Sequence, residues 1–146
     1  MTCTQVQKIG NLKDSVILDV DSYKLSHWKQ YPFGTTRMMG YLEARGGEYD
    51  TATLFGLQYV LHRYLSDPVT KEMVEEARDF AEAHGEPFNY DGWMHIVNKY
   101  NGHMPVKIRA VREGLQVPVS NALMTIEADD PECCWVESWL ETMLVN

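Results

Sequence analysis

Apolar and polar positions change period several times along this chain, and each change predicts an element. Ser15 to Val20 (SVILDV) is short, apolar and β-branched, which predicts a strand. Asp21 to Tyr31 is crowded with polar and aromatic groups, and Pro32-Phe33-Gly34 marks a turn. Arg37 to Arg45 predicts a second strand, ended by Gly46-Gly47. From Thr53 to Leu65 the apolar residues Leu54, Leu57, Val60, Leu61, Tyr64 and Leu65 recur at helical spacing. A second helix is predicted after Thr70 as N-cap, with Met73, Val74, Ala77, Phe80 and Ala81 inward and Gly85 as the stop. A third follows Asp91 as its cap, with Trp93, Ile96, Val97 and Tyr100 inward and Gly102 at its end.

The period then shortens to two. Val106, Ile108 and Ala110 alternate with Lys107 and Arg109, the pattern of a strand with one solvated face. Leu115 to Val119 and Leu123 to Ala128 continue it across the turns Glu113-Gly114 and Ser120-Asn121. Asp130-Pro131 opens a last helix carrying Trp135, Trp139, Leu140, Met143 and Leu144. That helix shows no stop signal before Asn146, which predicts truncation inside a longer fold. Strands, helices, strands and a helix in this order make an α+β arrangement.

Composition narrows the classes. At 146 residues and 45% hydrophobic, with 4 Trp, 8 Tyr and 4 Phe, the chain is globular rather than disordered. A formal net charge of -8 argues against general affinity for nucleic acid or anionic membranes, because no basic excess exists to neutralise phosphates. No apolar run reaches 18 residues, and Met1 to Lys13 lacks the apolar core of a signal peptide. Cys3, Cys133 and Cys134 form no disulfide framework and read as small apolar residues of a reducing compartment, so a cytoplasmic location is expected. The histidines and cysteines show no zinc-ligand spacing.

Candidate chemistry concentrates in Asp21-Ser22-Tyr23-Lys24-Leu25-Ser26-His27-Trp28-Lys29-Gln30-Tyr31-Pro32. A carboxylate, a phenol, two ammonium groups and an imidazole suit a polar ligand with a flat ring, provided that they converge at the mouth of a strand rather than scatter around a helix. Tyr stacking on such a ring is worth about 1–3 kcal/mol by analogy with base stacking. The residues alone leave a structural alternative open. In it Tyr23 and Trp28 are core, Asp21 caps a turn and the lysines are solvated.

The pattern DSYKxxHxxQYP resembles the N-terminal signature of the nicotinamide phosphoribosyltransferases. The resemblance continues, in order, at GYLEAR (Gly40 to Arg45), FGLQYVLHRYL (Phe55 to Leu65), the run from Gly92 to Gly114, and DPECCWVESWLETMLV (Asp130 to Val145). It implies an enzyme that transfers the phosphoribosyl group of phosphoribosyl pyrophosphate to nicotinamide, with Mg²⁺ assisting, in a homodimer whose sites lie at the subunit interface. It further implies that Tyr23 stacks on the nicotinamide ring, that Asp21 lies beside ring and ribose, and that Arg45 faces the phosphate end. Lys24 and His27 either reach the ligand or hold the segment locally. The family continues into a barrel-like α/β body that carries the second stacking aromatic and the main phosphate loops. This stretch therefore corresponds to its N-terminal domain without that body, and is expected to be inactive by itself. The segment between Arg45 and Phe55 reads shorter than the family pattern. Two alternatives stand beside this reading. One is a non-catalytic binding or regulatory module of the same fold. The other is a portion of a nicotinate phosphoribosyltransferase, which shares the Asp-x-Tyr start but matches His27 and Gln30-Tyr31-Pro32 less well.

Overall fold

The computed structural model describes residues 15–145; Cys3 and the Met1 to Lys13 segment lie outside them. Two small antiparallel sheets and four α-helices form an α+β fold. In chain order the elements are a 3-10 helix Ser22–Lys29, strands β1 (Met39–Glu43) and β2 (Thr51–Thr53), and helices α1 (Leu57–Leu65), α2 (Lys71–His84) and α3 (Tyr90–Tyr100). Strands β3 (Val106–Ala110), β4 (Gln116–Pro118) and β5 (Ala122–Ala128), a 3-10 turn Pro131–Cys133 and helix α4 (Val136–Val145) complete it.

β5 is the centre of the larger sheet, with β1 on one side and β3 on the other. Its register sets Ile126 opposite both Gly40 and Ile108. β2 and β4 pair separately. Lys107 and Arg109 point to the solvated face as the alternation predicts, and bond Asp129 and Glu127. Arg37 joins the second pair, and the two guanidiniums hold the Glu127 carboxyl below its usual value.

α4 lies against β1 and β5 and carries the core. Trp139, Leu140, Met143 and Leu144 are buried as the helical spacing predicts, and Val136 is buried with them. Trp93, Trp135 and Trp139 meet edge to face, with centroids 5.1, 5.4 and 5.6 Å apart. Each such pair adds about 0.5–1.5 kcal/mol beyond the area it buries. At Gly40 on β1 the carboxylate of Glu137 on α4 lies where a Cβ would stand, so a larger residue here would turn that flexible side chain aside.

Several boundaries differ from the sequence expectation. Ser15 to Val20 is a turn, not a strand. Its amides bond locally, Leu18 and Asp19 both donating to the Ser15 carbonyl, while Val16 and Ile17 plug into the core. An apolar run reports burial, and in this one the burial is met without a ladder. α1 begins at Leu57, because Thr51–Thr53 is taken by β2. The N-cap of α3 is Asn89, whose side chain accepts from the Gly92 amide, rather than Asp91, and its C-cap is Asn101 in the left-handed region rather than Gly102. Phe80 faces outward and stacks on His84. Thr70 and Gly85 cap α2 as expected.

Asp130 joins α3 to the start of the last helical segment. Its Oδ1 accepts from the Glu132 amide, the capping role expected of it. Its Oδ2 receives Lys99 Nζ at 2.9 Å and Tyr100 Oη at 2.8 Å, and lies 2.8 Å from His95 Nε2. These donors, the His95 ring first among them, hold this buried carboxyl well below the usual carboxylate range against the opposing effect of its burial.

Candidate functional site

The Asp21 to Tyr31 segment is not a loop at a strand mouth. Residues 22–29 form a 3-10 helix, closed at its ends by Lys24 N–H to Asp21 carbonyl (2.9 Å) and Gln30 N–H to His27 carbonyl (2.8 Å). The expectation that helical structure would scatter these groups fails for a geometric reason. With three residues per turn, side chains at i and i+3 eclipse. Asp21, Lys24 and His27 are therefore aligned along one edge, and that edge faces α4.

The facing residues on α4 are Ser138, Glu141 and Thr142, which share one helix face by their spacing. Thr142 Oγ1 donates to Asp21 Oδ2 at 3.0 Å. Lys24, 3% exposed, gives its ammonium to the Ser138 carbonyl at 3.0 Å and to the Glu141 carboxylate. His27 Nδ1 lies 3.4 Å from Ser138 Oγ. Nothing in the sequence marks these three α4 residues, because a polar helix face normally reads as solvated.

Tyr23 stands off this edge and is 56% exposed. Its hydroxyl donates to the same Asp21 oxygen at 3.2 Å, and its ring lies 5.2 Å from the His27 ring at a 49° tilt. Desolvation, the Asp21 charge, the hydrogen bond to it and the charge of Glu141 together raise the phenol above its ordinary value, so it stays protonated and donates at neutral pH. Tyr23 thus presents an accessible aromatic ring with its hydroxyl pinned, a form suited to stacking on a planar ligand.

Arg45 is exposed just beyond β1 and lines a groove of about 470 Å³ with Glu43, Glu137 and Glu141. Glu141 belongs both to this groove and to the Lys24 pair. Burial and the neighbouring Glu141 raise the Glu137 carboxyl above its usual value, with Lys24 opposing. With three carboxylates beside one guanidinium, the groove does not favour a bare diphosphate by charge alone.

Among the described residues, one group offers closely spaced metal-ligand atoms: His95, Asp130 and Cys133, within 4.8 Å of one another. It does not fit a Mg²⁺ site. Mg²⁺ demands octahedral oxygen ligation, whereas Asp130 Oδ2 is already bonded to Lys99 and Tyr100, and the Cys133 thiol is pushed up to about 12 by burial.

The family model described as nicotinamide phosphoribosyltransferase, N-terminal domain, matches residues 15–108. The chain belongs to this family. A nicotinamide phosphoribosyltransferase of Xanthomonas campestris pv. campestris (strain 8004) is 49% identical over 133 residues, which are 91% of this chain and 28% of the relative. One of Acinetobacter baylyi (strain ATCC 33305 / BD413 / ADP1) is 24% identical over 143 residues, 86% of this chain and 28% of the relative. The chain thus spans 28% of the length of these curated relatives. As a nicotinamide phosphoribosyltransferase N-terminal domain, it holds Asp21, Tyr23, Lys24 and His27 in one cluster against α4, with Arg45 in the adjoining groove. No helix among the described residues is long and apolar enough to cross a membrane.

Proposed function

We propose that this domain supplies the ring-binding part of a nicotinamide phosphoribosyltransferase site. In this reading the complete enzyme converts nicotinamide and phosphoribosyl pyrophosphate to nicotinamide mononucleotide and pyrophosphate, for NAD salvage in the cytoplasm. The observation that carries it is Tyr23: an exposed ring pinned through its hydroxyl to a carboxylate that is itself tied to the core helix. Tyr23 stacks on the nicotinamide ring and holds the weakly nucleophilic pyridine nitrogen in line with the ribose carbon. Asp21 lies beside ring and ribose, where its charge favours the oxocarbenium-like transition state formed as pyrophosphate departs. Arg45 takes the phosphate end, a task suited to a guanidinium fork. Because Glu43, Glu137 and Glu141 line the same groove, the diphosphate enters as its Mg²⁺ complex, which offsets its charge. Mg²⁺ is here part of the substrate. The remaining ligand groups come from the rest of the enzyme, across a homodimer interface.

The test is formation of nicotinamide mononucleotide by the purified chain given nicotinamide, phosphoribosyl pyrophosphate and Mg²⁺, alone and with the remaining body of the Xanthomonas relative supplied separately. The expected result is silence alone and activity on complementation. Activity alone would overturn the composite-site reading. Silence in both, with a folded complex, would favour a non-catalytic module of the same fold. Nicotinate used in preference to nicotinamide would move the assignment to the nicotinate enzyme.

A further inference from the structure

The 3-10 helix that carries Tyr23 has little of its own to fix it. Two of its eight residues, Lys24 and Leu25, are buried, and its hydrogen bonds are of the poorer 3-10 kind. Asp21 occupies the N-cap position, where a carboxylate ordinarily accepts one of the helix's own amides. Here it makes no such bond. Its Oδ2 instead collects two hydroxyls, from Tyr23 and from Thr142, which is 121 residues away in sequence. Thr142 sits in the last turn of α4, one position before the buried Met143 and two before the buried Leu144, so its backbone is held by the core.

We infer that Thr142 is a positioning residue for the nicotinamide-binding ring, acting through Asp21 on Tyr23. This rests on the reading that Tyr23 stacks on the substrate. The helix fixes the Thr142 hydroxyl, the hydroxyl fixes the Asp21 carboxylate, and the carboxylate fixes the phenol end of Tyr23 while His27 flanks its ring. A stacking partner set in one orientation before the ligand arrives loses less side-chain freedom on binding. Thr142 lies outside the residues matched by the family model.

The experiment begins on the chain itself, comparing wild type with Thr142→Val, which keeps the shape and removes the hydroxyl, and Thr142→Ser, which keeps the hydroxyl. Three-bond NMR couplings about the Tyr23 Cα–Cβ bond read its rotamer, and the Trp139 indole resonance reports that the core is intact. Wild type and Thr142→Ser should show one rotamer, and Thr142→Val averaged couplings. Asp21→Ala breaks the same link from the exposed side and should give the same averaging, which keeps the test decisive if Thr142→Val misfolds. Unchanged couplings in a folded Thr142→Val chain, or in Asp21→Ala, overturn the inference. In the complete transferase, formed when residues 15–145 replace the matching part of the Xanthomonas relative, Thr142→Val should raise the nicotinamide KM about two- to tenfold, from the freedom of one side chain. The change in kcat should be smaller, and Thr142→Ser should restore the wild-type KM. Averaged couplings with an unmoved KM would overturn the functional half. An inactive but folded transferase would count against the stacking reading, while the couplings still decide the positioning.

Discussion

Trp139 donates its indole N–H to the backbone carbonyl of Ile17 at 3.2 Å, across 122 residues of sequence. The bond ties the first described turn to the last helix at the centre of the tryptophan cluster. By contrast, Trp93 is fully buried with an indole N–H that meets no hydrogen-bond partner among the described residues. Trp139→Phe leaves the Ile17 carbonyl unpaired, whereas Trp93→Phe removes a donor that was already unpaired. Stranding a buried acceptor costs about 1–3 kcal/mol. Urea unfolding should therefore find Trp139→Phe less stable than Trp93→Phe by about that amount. Equal midpoints would show that the bond contributes nothing.

Asp130 gives the fold an acid-side limit. Its carboxyl is held below the ordinary range by His95, Lys99, the Glu132 amide and Tyr100. A depressed folded value means that the stabilisation is complete above the unfolded value of about 3.9 and is lost as pH falls through the lower folded value. Asp130→Asn should cost about 2–3 kcal/mol at pH 7, as it removes the charge shared by three neighbours. The gap from wild type should close as pH is lowered below about 4. A gap that persists at low pH would place the effect in packing instead.

Tyr23→Ala and Arg45→Ala separate the two ends of the proposed site. In the complemented enzyme, Tyr23→Ala should weaken nicotinamide use by about 1–3 kcal/mol, the range of aromatic stacking. Arg45→Ala should chiefly raise the requirement for phosphoribosyl pyrophosphate. Steady-state kinetics with each substrate varied in turn checks both, and wild-type values in either variant would remove that residue from the site.

Cys133 is fully buried and its thiol is pushed up to about 12, chiefly by desolvation. Since the thiolate is the reactive form, iodoacetamide at pH 8 should leave it unmodified in the folded chain and alkylate it after denaturation. Peptide mapping by mass spectrometry distinguishes it from the other cysteines. Rapid native labelling at Cys133 would mean that the α3–α4 junction opens readily.

How much of this was legible follows from what each residue contacts. The stripe Trp135, Trp139, Leu140, Met143 and Leu144 could be read because a helix buries by its own 3.6-residue period. The alternation of Val106 to Ala110 could be read for the same kind of reason. The polar face of that same last helix could not. Ser138, Glu141 and Thr142 look solvated until the 3-10 helix is set against them, and that partner lies 111 to 121 residues away. The alignment of Asp21, Lys24 and His27 was hidden too, because their three-residue repeat belongs to neither the α nor the β period. Tyr23 and Asp21 were marked by chemistry and resemblance, but the helix that holds them left no local trace.

The tie between the 3-10 helix and α4 also sets an order of events during synthesis. Lys24 is bonded to Ser138, 114 residues later in the chain. At about 5–20 residues per second, the ribosome makes the ring-binding segment roughly 6–23 seconds before its support exists. Until then Asp21, Lys24 and His27 have no matching face to dock on, so the first part of the site to be translated is among the last to take its shape.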